Sequence, residues 1–464
     1  MKSAFIAIAV GMFAAREANG NGRPPLSNGV VFKPGDPQPI YVATTFGLLV
    51  SPDACHFYWL CENNIGYGGE FDPIYGVTRE GTILATTFHG LRASHDGGCS
   101  FTSPTSELPT GAPGKISDLY PASLAVGPTD DIWIGTSDTG SGNAVYRSQD
   151  DAASFEVRGV LPTNIWFTSI LTTSDPDRVY VGALEVATGN GTQPVAHWYR
   201  SDDSGATWLE QPLVGVELAS QPVIQLAASD PSHTGTVYMI ARLTNPPRGD
   251  RLYRTTDGGM TLTELLATDS TITGVVIRDT TVEVATLASG LFESIDGGAT
   301  FVPVAATLQF GCLGLRADGT LLACASDYDP DLMALGVSSD ARTWTRLLRF
   351  EYITGPLDCP SGTAEHDICE DQLWGGLGTQ LGGAASACAA GPDLVIDMPP
   401  GDVVVKPRGG CCDAQSGSLS SLPSVVVVIG LRRRRRPRAR STSSERSYGG
   451  HDSDHDRANA DHEA

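Results

Sequence analysis

Tyr199-Arg200-Ser201-Asp202-Asp203-Ser204-Gly205-Ala206-Thr207-Trp208 decides the fold. Its pattern is Ser/Thr-x-Asp-x-Gly-x-Thr/Ser-aromatic. An aspartate carboxylate accepts bonds from backbone N–H groups two or three residues on. Glycine supplies the positive φ that a tight hairpin needs, and the aromatic opens the next strand. The element is therefore a self-sufficient turn between two strands, and it makes sense without a ligand. It recurs at Ser294, Asp296, Gly298, Thr300, Phe301, at Ser94, Asp96, Gly98, Ser100, Phe101, and at Thr255, Asp257, Gly259, Thr261, Leu262. Weaker copies are Ser148, Asp150, Ser154, Phe155 with Ala152 in the glycine slot, and Ser338, Asp340, Thr343, Trp344, which is one residue short. Ser51, Asp53 and Tyr58 look like a seventh copy, with Cys55 in the glycine slot.

The surroundings repeat too. Each copy follows a run such as Gly47-Leu-Leu-Val-Ser, Trp198-Tyr-Arg-Ser or Leu291-Phe-Glu-Ser, and before that a run such as Ile40-Tyr-Val-Ala-Thr or Ile132-Trp-Ile-Gly-Thr. An earlier apolar run, such as Ser123-Leu-Ala-Val or Val223-Ile-Gln-Leu, opens each unit. Alternation, β-branched residues and turn signals predict strands rather than helices.

These residues identify the Asp-box, or BNR, repeat. The region 27–350 resembles the propellers of the sialidase, sortilin, xyloglucanase and photosystem II assembly-factor superfamily. The resemblance implies an all-β fold, a seven-bladed β-propeller with Asp-box turns at Asp53, Asp96, Asp150, Asp203, Asp257, Asp296 and Asp340. Seven copies over this length suit seven four-stranded blades. Six blades is the alternative, should the Ser51 copy be false.

Composition agrees. The 464 residues include 53 Gly and 30 Pro, which suit short strands and tight turns. The net charge is −22. Across 27–351 about 37 acidic residues face about 17 basic ones. Such a surface repels phosphate backbones, so nucleic acid is not an expected partner. It keeps the protein soluble and could attract divalent cations.

At the N-terminus, Lys2, the apolar run 4–15 and Ala18-Asn19-Gly20 have the layout of a signal peptide over 1–20. The ten cysteines are accordingly read as disulfide candidates in an oxidising compartment. Cys312 and Cys324 flank a predicted hairpin and could bridge its strands. Cys55 and Cys61 bracket another strand, with Cys99 nearby in sequence. Cys359, Cys369 and Cys388 punctuate a loop-rich segment, 351–390, expected to pack as a disulfide-pinned cap across the ring. None has the spacing of a zinc site, and the pairing is left open.

A Pro-containing linker, 391–408, precedes Gly409-Gly-Cys411-Cys412-Asp, a Ser-rich stretch, an apolar run ending at Leu431 and five consecutive Arg from Arg432. In that order, the segment 409–436 resembles the MYXO-CTERM sorting tail of myxobacterial surface proteins. The resemblance implies processing and lipidation at Cys411 or Cys412. The apolar run is shorter than the ~20 residues of a spanning helix, and the chain continues over 437–464, read as a disordered tail. The plain alternative is a basic tail with no sorting role.

Catalytic signals are scarce. Sialidases on this fold use an arginine triad, a Tyr–Glu nucleophile pair, an Asp acid/base and an Arg-Ile-Pro motif near the first blade. Here the nearest text is Gly22-Arg23-Pro24-Pro25. Arg147, Arg200 and Arg254 sit just before Asp-boxes and read as solvated blade-edge residues. Glu70, Asp72 and Asp118 lie near blade starts, but a glycosidase needs two carboxylates converging across a cleft, which sequence cannot show. The segments 185–197 and 244–251 are long loops between second and third strands and could bind a partner. Asp327, Asp329 and Asp331 alternate like calcium ligands, yet lack the Gly and Glu of an EF-hand loop; an acidic turn is the simpler reading. The tail's His451-Asp-Ser-Asp-His-Asp456 could hold a metal loosely. No catalytic zinc is expected, and no other cofactor.

The sequence thus predicts a monomeric, non-catalytic propeller, secreted or held at the surface or outer membrane of a Gram-negative bacterium, that binds a glycan, a matrix component or a protein. It meets the membrane only through its tail. An extracellular glycoside hydrolase, sialidase- or xyloglucanase-like, is the alternative.

Overall fold

The computed structural model describes residues 23–381, apart from 70, 140–141, 163, 187–192, 244–248 and 306–307, together with residues 395–396. The proposed signal peptide, Cys388, Cys411, Cys412, Glu70 and the tail lie outside the described residues, as do the middles of both long loops. The chain divides into two compact units at Val404, and the second, 405–464, is wholly outside them.

Seven antiparallel sheets follow one another along the chain, so the fold is all-β with seven blades. The blades span 27–60, 75–94, 121–157, 165–210, 223–267, 272–305 and 312–348. Blade 2 has three full strands, and an isolated bridge between Ala93 and Thr102 stands for its fourth. Within each blade the strands pair in sequence order, and Val395–Ile396 adds to the outer strand of blade 7.

Second strands such as Ile40–Thr44, Ile83–Thr87 and Ile132–Thr136 are buried at every position. They are packed on both faces by neighbouring blades, which is why they read as continuous apolar runs rather than alternating ones. Outer strands are short and wet, as in Glu156–Val157 and Leu209–Glu210. Apolar side chains knit one blade to the next. Trp133 of blade 3 joins Phe167, Val181 and Tyr199 of blade 4, and Trp198 of blade 4 joins Ile224, Met239 and Tyr253 of blade 5. Each such ring brings about 1.5–3 kcal/mol of burial.

Ring closure comes from the chain that follows blade 7. Phe350 packs edge-on against Phe46 of blade 1 at 5.1 Å. Ile353–Pro356 then adds parallel to Phe57–Leu60, the outermost strand of blade 1. Ser27, on the innermost strand of blade 1, donates its hydroxyl at 2.5 Å to the carbonyl of Ala334, on the loop before the third strand of blade 7. A π-helix, Glu365–Trp374, runs into a short helix, Gly375–Leu381. Leu373, Trp374, Leu377 and Leu381 cover a core shared by blades 1 and 7.

One expectation about this segment is corrected: over 365–381 it is helical rather than loop-rich. Its strand extends the outermost edge of blade 1. Its anchors are disulfides: Cys61 with Cys369, and Cys99 with Cys359. Cys312 and Cys324 are directly paired across their hairpin and bonded, and Cys55 is also in a disulfide. Among the described residues no helix is long and apolar enough to cross a membrane.

Candidate recognition surface

The seven Asp-box residues turn inward on their own loops. In blade 4, Ser201 donates to the Asp203 carboxylate at 2.8 Å, Thr207 N–H donates to it at 2.8 Å, and Gly205 N–H donates to the Ser201 hydroxyl at 2.7 Å. Asp96, Asp150, Asp257 and Asp296 repeat the arrangement. Bonds from Thr207 and Ser201 hold Asp203 down at about 2, and bonds from Thr261 and Thr255 do the same for Asp257. Both oxygens of each of these two carboxylates accept bonds from their own turn.

The full turns carry two successive positive φ values, such as Gly258 at 74° and Gly259 at 110°. Blades 1 and 7 use a turn shorter by one residue, with a single left-handed position at Ala54 (59°) and Ala341 (64°). Cys55 therefore does not occupy the glycine slot as expected; Ala54 does. In the long turns the second glycine also meets the preceding blade. A Cβ at Gly259 would lie 2.8 Å from Gln211, and one at Gly98 would lie 2.7 Å from Leu60.

The arginines before the Asp-boxes are corrected as well. Arg200 donates to the Gly258 carbonyl of the next blade's turn at 2.7 Å, and Arg254 donates to the Gly297 carbonyl in the same way. Arg147 is buried, bonded to Asp131 and stacked over Trp133. They are ties within and between blades, buried at Arg147 and half-buried at Arg200 and Arg254.

Strand alternation sends the second-to-third-strand turns and the blade-to-blade connections to one side of the ring, opposite the first-to-second-strand turns. On this side an aromatic shelf forms across blades 1 to 3. Phe88 stands at the tip of the turn Thr87–Gly90, which is closed by Thr87 donating to the Gly90 carbonyl at 2.9 Å. Phe71 arrives on the connection from blade 1. Tyr120 arrives on the connection from blade 2, held where its N–H donates to Asp138 at 3.1 Å. The rings of Phe71 and Phe88 are 4.4 Å apart, those of Phe88 and Tyr120 are stacked at 5.3 Å, and Tyr67 extends the group. Phe88 is 58% exposed, which is unusual for a phenylalanine locked against two other rings, and Leu26 and Ile74 are exposed as well. Arg23 and Asp72, paired at 2.7 Å, border the shelf, and Arg23 also donates to the carbonyls of Thr45 and Phe71. Flat rings beside polar atoms suit a ligand that is apolar on one face and hydroxylated at its edge. The individual aromatics are visible in the sequence, but nothing in their spacing shows that three separate loops bring them together.

Of the carboxylates named near blade starts, Asp72 and Asp118 are described, and neither is bonded to another carboxylate. Asp72 is held by Arg23, and Asp118 lies beside Ser117 and Lys115. Glu185 accepts from Asn164, and His197 links Glu185 to Glu210. Asp327, Asp329 and Asp331 do not form a ligand set among the described residues. Asp327 is paired with Arg349, whereas Asp331 is buried and accepts N–H bonds from Gln309 and Ser326. Burial raises the pKa of both.

No family model and no curated protein matches the sequence. Several solved structures are similar. A GH74 enzyme of Niastella koreensis matches at 16% identity and TM-score 0.40, over 69% of this chain and 65% of that one. The GH74 xyloglucanase of Xanthomonas campestris matches at 14% and 0.40, over 68% and 59%. PorZ, a surface component of the type-IX secretion system of Porphyromonas gingivalis, matches at 14% and 0.45, over 64% and 45%. The chain spans less than two thirds of each of these proteins, and likeness at this level bears on the fold alone.

Proposed function

We propose that this chain is an extracytoplasmic binding propeller that recognises a glycan on the shelf of Phe71, Phe88 and Tyr120. The observation that carries the reading is an aromatic group built from three loops on the side of the ring where connections emerge, with Phe88 exposed, Tyr120 half-buried and Phe71 buried against Phe88. A pyranose has a C–H face that lies flat on such rings, and its hydroxyls reach polar rim atoms like those of Arg23 and Asp72. A non-catalytic role is supported by the engagement of Asp72, Glu185, Asp327 and Asp331 with partners of their own. The disulfides support an oxidising, extracytoplasmic setting. On this reading residues 1–20 are a signal peptide and 409–436 a surface-sorting segment.

The test incubates the disulfide-intact chain with sialosides, β-glucans and bacterial surface polysaccharides, following retention by affinity electrophoresis and released products by mass spectrometry. Retention of one polymer without products is the expected result. Released products would make the chain a glycoside hydrolase, and failure to retain any polymer would turn the shelf into a protein-docking surface.

A further inference from the structure

Glu365 opens the π-helix of the rim segment and is 0% exposed. One carboxylate oxygen, Oε2, accepts from Asn64 Nδ2 at 2.8 Å and from Cys61 N–H at 3.4 Å. The other, Oε1, is buried with no partner among the described residues, and so is Asn64 Oδ1. Asn64 is itself fixed, its Nδ2 also donating to the Gly98 carbonyl at 2.8 Å. Two buried acceptors left over on two planar groups already bonded to each other are costly as they stand. A single proton on Oε1 supplies the donor that both lack.

We infer that Glu365 is protonated and forms a cyclic acid–amide pair with Asn64, a pH-sensitive latch clasping the rim helix to blade 1. Asn64 Nδ2–H donates to Oε2 and the Oε1 proton is donated to Asn64 Oδ1, so every polar atom of the pair is served. Loss of that proton to solvent leaves a buried anion facing an amide oxygen, with only two donors on one side. Burial is the main influence on this carboxyl and pushes its pKa up to about 8, against the lowering effect of the Asn64 and Cys61 bonds. The charge acting on it is Glu370 of the same helix, which raises it further. On the elements packed against it, Glu62 lies 4.0 Å from Arg23, and Asp96 is bound to Ser94 and Ser100. His366, next in the helix, is paired with Asp367. No cation is bonded to Glu365 among the described residues. Because Cys61–Cys369 and Cys99–Cys359 keep the segment tethered, the latch governs local opening of the helix rather than its release.

The test compares hydrogen exchange of the helical amides in the full chain with that in Glu365→Gln, whose amide reproduces both bonds without a titrating proton. The ratio of wild-type to variant exchange is expected to rise by up to about tenfold per pH unit between about 5 and 8 and to level off above. A ratio constant from pH 5 to 9 would overturn the latch. Should the variant not fold, carbon-13 NMR of the glutamate-labelled wild type decides the same question. A buried glutamate carboxyl titrating near 8, and absent from that position in Asn64→Ala, supports the latch; titration of every glutamate below pH 6 refutes it.

Discussion

Cys61, at the end of the outer strand of blade 1, is bonded to Cys369, 308 residues further along the chain. The bond joins the first blade to the segment that follows the last one, across the seam of the ring. Cys99–Cys359 crosses the same seam with a separation of 260.

Removing both sulfurs as Cys61→Ala with Cys369→Ala should lower stability by about 2–4 kcal/mol. The measurement is thermal unfolding with and without reductant. Reductant should shift the wild type further than the double variant, which keeps Cys99–Cys359 and Cys312–Cys324.

Arg200→Ala removes a tie from blade 4 to the Asp-box turn of blade 5. A loss of about 1–2 kcal/mol is expected, the range for a bond with a charged donor, discounted for partial exposure. Urea unfolding measures it. Arg200→Gln should recover little, since its amide is too short to reach the Gly258 carbonyl.

Acid should weaken the turns. All seven Asp-box carboxyls have pKa values lowered from the usual 3.8. A depressed folded-state pKa gives stability that is present above about 4 and is lost as pH falls toward about 2. Glu365 acts in the opposite sense, its contribution being full below about 4.5 and lost as pH rises to about 8. These groups together favour a stability maximum near pH 4–5, which a pH series of melting temperatures checks. Ser201→Ala should narrow the acid limb's margin, because Ser201 both donates to Asp203 and accepts from Gly205.

Phe88→Ala and Tyr120→Ala should each weaken polysaccharide retention about tenfold, a loss of roughly 1.4 kcal/mol, within the range for truncating an aromatic anchor. Phe88→Ala should leave the melting temperature within about 2 °C, since most of that ring already faces solvent. Equal retention by both variants and the wild type would move the binding surface elsewhere.

The blades were legible because each Asp-box states its chemistry within eight residues: a carboxylate, an acceptor hydroxyl and a residue tolerant of positive φ. Ala152 and Ala341 show the limit of that legibility, for both adopt left-handed backbone without being glycine. The purpose of Arg200 and Arg254 was hidden, since their acceptors lie on the next blade and a carbonyl leaves no mark in sequence. The helix at 365–374 was missed for a related reason. Its Gly-, Cys- and acid-rich text has weak helical periodicity, and its stability comes from Trp59, Asn64 and a disulfide some 300 residues earlier. The aromatic shelf is likewise a product of three loops meeting in space, and Phe71, Phe88 and Tyr120 have no shared spacing to announce it.

The three or four sequential strands of each blade come from contiguous sequence, and this has a bearing on timing. As the polypeptide emerges from the ribosome or a translocon, each of the seven units can form its own sheet as soon as it appears. Blade 1 nevertheless keeps an unfinished outer edge until residues 353–356 arrive, after all seven units have been delivered. A nascent chain halted before blade 7 is delivered would carry well-formed sheets and an open circle. Its joining surfaces at Phe57–Leu60 and Phe46 would be bare, available to a chaperone or to another copy at the same stage.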